Sequence, residues 1–265
     1  MEVSYVCQAA SALRPNDDFV LATESFVIVL DGATAPAGVD SGCVHDVPWL
    51  VARLGANLAG LLLREPRAGL VDVLRRGIAA TMGEHADTCD LENPDSPSST
   101  AVMLRCGAQT VDYIVLGDSA IVIEHSAGHG AGAGASAGAS ASSTELTIAH
   151  DDRTAHLSDY SVRGVSRLRN TDEGFWIASN RPEAADKAIV GSIPIGDVTR
   201  VALMTDGITR LVERYGRTWL DVLERMDKYG PREVVADVRA EELATPSGTY
   251  RGKVHDDATA VFCRF

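Results

Sequence analysis

The sequence predicts an α+β fold built on antiparallel sheets. Strand-like apolar runs come in an early group, two helical patterns follow, then more strands, then helices and one closing strand. That order lacks the βαβα alternation of a parallel sheet. Four of the strand-like runs meet an Asp at one end, so four carboxylate sites are expected to share one end of a sheet. The sharpest copy is Val27-Ile28-Val29-Leu30-Asp31-Gly32, an unbroken apolar run of the kind a buried strand shows.

In chain order, residues 3–7 and 19–22 read as short strands separated by the polar turn Arg14-Pro15-Asn16-Asp17-Asp18. The 27–30 strand follows. Gly32 lets the backbone turn and come close to a ligand, and the small, turn-rich residues 33–42 read as a loop. A helix is expected over about 47–63, with Leu50, Leu54, Leu58, Leu61 and Leu62 at helical spacing. A second, over about 70–87, carries Val71, Leu74, Ile78 and Met82 on one face. Residues 93–99 hold two prolines and three serines and read as a loop. Strands are expected at 100–106, 110–116 and 120–125. Residues 126–143 are nearly pure Ala, Gly and Ser and bury too little apolar surface to offset their ordering entropy. They read as a flexible insertion between adjacent strands, the second resuming at 144–149. Residues 151–170 are charged and show no clear pattern. Weak strands at 175–179 and 188–193 flank a short helix led by Pro182. A strand at 201–205 runs into Asp206-Gly207, followed by helices to Glu213, over 219–228 and over 231–243, where Pro231 suits a first turn. The closing strand runs from 258 to 265.

The 265 residues suffice for one large domain or two small ones. Carboxylate sites on both sides of the insertion favour a single domain over 1–265. The net charge of −13 offers no basic stripe for phosphates, which disfavours nucleic acid and suits a protein that gathers cations. No signal peptide is read at the N-terminus, and the most apolar helical stretch, 49–63, carries Arg53 and Asn57 and is too short to span a bilayer. A soluble cytoplasmic protein with no membrane partner is expected. Cys7, Cys43, Cys89, Cys106 and Cys263 are scattered and never spaced as CxxC. They read as reduced core residues, and no zinc site is expected from them.

Convergent carboxylates repel: two unit charges about 4 Å apart at an effective dielectric near 20 cost about 4 kcal/mol. Such a cluster protonates, stays apart or binds cations. All-oxygen donors select a hard ion such as Mg²⁺ or Mn²⁺, and two such ions about 3.5 to 4 Å apart can share a water, acidify it and aim it at phosphorus. One Asp-Gly after a strand is ordinary turn chemistry. The case rests on Asp31-Gly32, Gly117-Asp118-Ser119, Thr205-Asp206-Gly207 and Asp256-Asp257 together.

The order of these motifs resembles the PP2C-type metal-dependent Ser/Thr protein phosphatases over nearly the whole chain. Arg14 with Asn16-Asp17-Asp18 resembles that family's opening arginine and acidic pair, and Asp31-Gly32 its metal-bridging Asp-Gly. Ser98-Ser99-Thr100-Ala101, Gly117-Asp118-Ser119, Thr205-Asp206-Gly207 and Asp256-Asp257-Ala258-Thr259 are similar to the motifs that follow it. The resemblance implies a four-layer αββα sandwich, two antiparallel sheets packed face to face with helices outside. It implies two Mg²⁺ or Mn²⁺ ions, with Asp31 bridging them, the Gly32 carbonyl on one, and Asp206 and Asp256 completing the other. Asp17 and Asp18 would orient metal-bound waters, Asp118 would belong to a third, weaker metal site, and Arg14 would clamp phosphate oxygens.

The implied activity is hydrolysis of phosphoserine and phosphothreonine in proteins, substrates of Ser/Thr kinases, by a metal-bridging hydroxide in a monomeric signalling enzyme. The sequence departs from the family in having Ala33-Thr34-Ala35-Pro36 where a glycine- and histidine-containing tract is usual. His45 is then a candidate general acid, with a metal-bound water as the alternative. Asp257 stands in place of the usual Asn, and residues 151–195, the flap region that shapes substrate choice, are divergent. Two rival readings are a pseudophosphatase that binds phosphorylated partners without turnover and a hydrolase of small phosphate esters.

Overall fold

A computed structural model describes residues 1–33, 38–126 and 144–265. Its strands are β1 (Glu2–Gln8), β2 (Asp18–Ala22), β3 (Phe26–Ala33), β4 (Ser98–Ser99), β5 (Ala101–Cys106), β6 (Thr110–Leu116), β7 (Ala120–His125), β8 (Leu146–His150), β9 (Ile189–Pro194), β10 (Val198–Met204) and β11 (Ala258–Arg264). Its α-helices are α1 (Val47–Arg64), α2 (Leu70–His85), α3 (Val162–Leu168), α4 (Asp206–Glu213), α5 (Trp219–Tyr229) and α6 (Pro231–Ala244). One sheet has the order β1-β11-β10-β7-β8; the other has β2-β3-β5-β6-β9, with β4 pairing β3. The strand pairings are antiparallel.

Side-chain alternation along the strands sets the layers. On β3, Phe26, Ile28 and Leu30 enter a core with Leu54 and Leu58 of α1 and Leu74 and Ile78 of α2. Val27 and Val29 point the other way, into a core with Val201 and Leu203 of β10 and Val261 of β11. On β10, Ala202 and Met204 pack with Val222 and Leu223 of α5 and Val234 and Val238 of α6. Three cores therefore separate helices, sheet, sheet and helices, the expected sandwich. Helix α1 starts where the Asp46 carboxylate accepts the Trp49 N–H at 2.9 Å, and α5 opens on a reciprocal cap between Thr218 and Asp221.

Some elements differ from expectation. Strand β3 does not stop at Leu30: Asp31 pairs with Asp18 and Gly32 with Ser99, so the first Asp-Gly lies inside a ladder. Ser98 and Ser99, expected in a loop, form β4 opposite it. Residues 175–179 form no strand. Phe175, Trp176, Ile177 and Ala178 are all buried, and the Asn170 side chain takes the Ile177 N–H, leaving only isolated bridges at Phe175 and Ala178. In 151–195, the structure has a 3₁₀ turn at Arg153–His156, α3, a second 3₁₀ turn at Pro182–Lys187, and β9. The expected insertion at 126–143 lies outside the described residues except for Ser126; the strands flanking it, β7 and β8, are neighbours, with Ala120 opposite His150. Among the described residues no helix is long and apolar enough to cross a membrane.

Candidate active site

The ends of β2, β3, β6, β10 and β11 bring the acidic motifs together. Asp31 ends the apolar run of β3, Asp206 is the first residue of α4 just after β10, Asp118 sits in the turn from β6 to β7, and Asp256 precedes β11. The Asp206 N–H donates to Asp31 Oδ2 at 3.3 Å, joining residues 175 apart in sequence. Thr100 accepts the Asp31 N–H on Oγ1 at 3.2 Å, returns its own N–H to the Asp31 carbonyl at 2.9 Å, and shares a 2.7 Å hydroxyl contact with Ser119. The Asp31 strand is thereby tied to the Gly117-Asp118-Ser119 turn.

Gly32 and Gly207 are required by close approach. A Cβ on Gly32 would lie 2.4 Å from the Asp17 carbonyl oxygen and 2.2 Å from Val47 Cγ1; one on Gly207 would lie 2.0 Å from the Asp257 carbonyl oxygen. The Gly32 N–H donates to that Asp17 carbonyl at 3.1 Å. The space a side chain would need is thus taken by backbone at Gly207 and by backbone and the Val47 side chain at Gly32, which seats Asp31 and Asp206 against the neighbouring acidic segments.

Asp18 is buried, and its Oδ2 accepts hydroxyls from Thr205 at 3.0 Å and Thr259 at 2.7 Å. Its Oδ1 is buried with no hydrogen-bond partner. Asp257 accepts the Ala10 N–H at 2.6 Å on one oxygen and the Asp17 N–H at 2.7 Å on the other, so the residue that departs from the family pattern pins both ends of the loop carrying Arg14. Arg14 is exposed and lines a cleft of about 440 Å³ with Asp17, Lys253, His255 and Asp257. At the other side of the cluster, Asp118 Oδ2 accepts the Thr154 hydroxyl at 3.0 Å.

Burial first, then the charges of Asp18, Asp206, Asp118 and Asp256, hold the Asp31 carboxyl well above the usual carboxylate range. Burial also pushes Asp206 up to about 7, with Asp256 and Asp118 adding to it and Arg210 opposing. Asp18 rises to about 7 through burial, opposed by the two threonine hydroxyls and reinforced by Asp206 and Asp257. Asp118 is raised by burial, with Glu213 adding to the shift. The cluster is short of positive charge around Asp31 and Asp18. Its donors are all oxygen, and it contains an orphaned carboxylate oxygen, a set that fits hard divalent cations.

Two cations in the site were not among the residues expected from the sequence. Arg210, one helical turn after Asp206, is buried; it donates to Asp256 Oδ2 and Glu242 Oε1 at 2.8 Å each and lies 3.9 Å from Asp206 Oδ2. Lys253 donates to Asp256 Oδ1 at 2.9 Å. Asp256 is thus held by two protein cations. The i,i+4 spacing of Asp206 and Arg210 could have flagged the first; Lys253 is visible only once residues 253–256 fold back.

His45 is engaged with sulfur rather than free for the acid's role expected of it. Its Nδ1 lies 3.4 Å from Cys89 Sγ and 3.7 Å from Cys43 Sγ, and its ring stacks on Trp49 with 3.9 Å between centroids. His45 lies beside His85, the last residue of α2. With Nδ1 facing two sulfurs, His45 is not assigned the acid's role. The same cluster corrects the reading of the cysteines. Only Cys263 is buried in the core, and Cys43 and Cys89 lie 3.0 Å apart beside two histidines.

The sequence profile of the protein phosphatase 2C family matches residues 7–244. The chain belongs to that family. It is by membership a PP2C-type protein-serine/threonine phosphatase; Asp256 and the closing strand lie beyond the matched residues. Among solved structures, the Mycobacterium tuberculosis serine/threonine phosphatase PstP is 16% identical with a TM-score of 0.60, over 98% of this chain and 97% of that one. Stp1 from Staphylococcus aureus is 12% identical with a TM-score of 0.59, over 100% and 95%. The catalytic domain of PstP in complex with two manganese ions is 18% identical with a TM-score of 0.56, over 98% and 96%. At these identities the likeness establishes the shared fold. A search of curated protein sequences finds no match.

Proposed function

We propose that this chain hydrolyses phosphoserine and phosphothreonine in proteins, using two Mg²⁺ or Mn²⁺ ions held at the carboxylate cluster. The observation that carries the reading is the convergence of Asp18, Asp31, Asp206 and Asp256 from opposite ends of the chain onto one site, with charge left uncompensated around Asp31. Asp31, the Gly32 carbonyl, Asp206 and Asp256 would hold the ions, which when bound acidify water and draw charge off the phosphoryl oxygens. Asp18, fixed by Thr205 and Thr259, and Asp17, fixed through its N–H by Asp257, would orient water at the ions' edge. Asp118 would serve a third, weaker position. Arg14 would take two phosphate oxygens in its planar fork at the mouth of the cleft, and the position of Lys253 there adds positive charge for the same group. With the His45 Nδ1 turned toward two cysteine sulfurs, water in this open cleft is the source proposed for the leaving alkoxide's proton.

We further propose that its substrates are phosphorylated by Ser/Thr kinases and that it acts in signalling, as a monomer, in the cytoplasm. The hold of Arg210 and Lys253 on Asp256 favours one rival, a module that binds phosphorylated proteins without turnover. The deciding experiment measures phosphate release from phosphoserine, phosphothreonine and phosphotyrosine peptides and from a chromogenic phosphate ester, each with Mn²⁺, Mg²⁺ and EDTA. Metal-dependent release from the first two peptides supports the proposal. Binding of those peptides with no release under any condition establishes the rival, and release from the ester alone makes the protein a small-ester hydrolase.

A further inference from the structure

Cys43, His45, His85 and Cys89 present four ligand atoms within 4.8 Å of one another, and none of the four belongs to the carboxylate cluster. We infer that these four residues bind one structural Zn²⁺. They reach one point from two mixed pairs. Cys43 and His45 precede α1, while His85 is the last residue of α2 and Cys89 follows it. In sequence this is Cys-x-His and His-x₃-Cys with two helices between, which is why no CxxC spacing announces it.

The geometry suits a tetrahedral ion. Bonds of about 2.3 Å to sulfur and about 2.0 Å to nitrogen set S–N edges near 3.5 Å and an S–S edge near 3.8 Å. Cys43 Sγ lies 3.7 Å from His45 Nδ1 and 3.6 Å from His85 Nδ1, and Cys89 Sγ lies 3.4 Å from His45 Nδ1. The two sulfurs, at 3.0 Å, are well beyond the roughly 2.05 Å of a disulfide and need only separate slightly to admit the ion. Both imidazoles turn the same nitrogen, Nδ1, toward sulfur. Trp49 stacks on His45 and meets His85 edge-on, which fixes both rings, and the Val44 N–H is directed at the Cys89 sulfur. Binding replaces the two thiol protons, and S₂N₂ donors at tetrahedral spacing select Zn²⁺ over the hard ions of the carboxylate site. Four protein ligands leave no open position, so the site is structural.

The placement gives the ion a task. It closes the open end of the α1–α2 pair and anchors the segment leading into α1. Residues 40–42 of that segment are also tied to 90–96 by the Asp90 N–H to the Gly42 carbonyl, Asn93 Nδ2 to the Asp40 carbonyl, and Ser96 Oγ to the Ser41 carbonyl. Ser96 in turn accepts Arg169 on its carbonyl, so the clip sits beneath the region following β8.

The test is elemental analysis of untagged wild-type protein, produced with zinc in the medium and purified under reductant. About one zinc per chain is expected, and Co²⁺ exchanged into the site should show the intense ligand-field and thiolate charge-transfer bands of tetrahedral thiolate coordination. Cys43→Ser/Cys89→Ser and His85→Asn should lose the zinc and melt several degrees lower. Cys106→Ser and Asp206→Asn should keep it, the latter showing that the two centres are separate. Wild-type protein with no zinc and no tetrahedral Co²⁺ spectrum overturns the inference whatever the variants do. So does a Cys43–Cys89 disulfide found by thiol counting in freshly isolated protein.

Discussion

Replacing Asp206 by Asn removes one charge from the cluster and keeps its shape. Without metal, Asp206 is held protonated up to about pH 7 by burial and by Asp256 and Asp118. Its folded pKa lies above the unfolded value of about 3.9, so the folded state binds the extra proton between these pH values. Stability is therefore lost as pH rises from about 4 through about 7. The Asp206 side chain is 37% exposed and has Arg210 at 3.9 Å, so solvent and that cation screen most of the repulsion. We expect about 1 to 2 kcal/mol to remain. At about 2 to 4 °C per kcal/mol for a chain of this size, Asp206→Asn in EDTA at pH 8 should melt some 2 to 8 °C above wild type. At pH 5, where Asp206 is already protonated, the two should melt together. With Mn²⁺ at about 100 times its dissociation constant, wild type should gain about 2.7 kcal/mol, and the variant much less, with phosphatase activity nearly abolished. The assay is thermal melting of both proteins at pH 5 and pH 8, each with EDTA and with Mn²⁺, beside phosphopeptide turnover. A variant that melts lower than wild type at both pH values, gains as much from Mn²⁺ and still turns over would refute the metal-cluster reasoning.

The other predictions address the cations and the glycines. Arg210→Gln leaves buried Glu242 and half-buried Asp256 without their shared partner and should cost about 3 to 5 kcal/mol in urea unfolding; a loss under about 1 kcal/mol would mean the buried Arg210–Glu242 pair does not hold α4 to α6. Arg14→Ala, at an exposed position, should leave melting unchanged within about 1 °C while lowering phosphopeptide kcat/KM about 10- to 100-fold, the value of a charge-assisted contact to phosphate; unaltered kinetics would remove Arg14 from the site. Gly207→Ala drives a methyl group against the Asp257 carbonyl and should cost about 1 to 3 kcal/mol by calorimetry and depress Mn²⁺ binding with it; a variant with normal Mn²⁺ affinity would show that Asp206 does not depend on this close contact.

Much of this protein is legible in its sequence because the signals are local. Leu50, Leu54 and Leu58 repeat at the helical period and do face the core beneath α1. Val27 to Leu30 read as a buried strand because both faces of β3 are covered, one by helices and one by the second sheet. The ordered Asp motifs mark the carboxylates that converge because each is short and tied to a strand end. What lies inside the Asp-Gly pairs was not legible. Both glycines look like turn residues, yet each is there because another segment's carbonyl, from Asp17 or Asp257, occupies the space of a side chain. Residues 175–179 show the same limit: their apolar run reads as a strand, but Asn170 takes the Ile177 N–H that a ladder would need. Arg210 and Lys253 became part of the site only when α4 and residues 253–256 closed on Asp256, and Cys43, His45, His85 and Cys89 became one cluster only when α1 and α2 packed side by side. Periodicity records which face of an element is apolar. It carries no record of which polar side chains, tens or hundreds of residues apart, come within bonding distance when those faces meet. That was decided by tertiary packing alone.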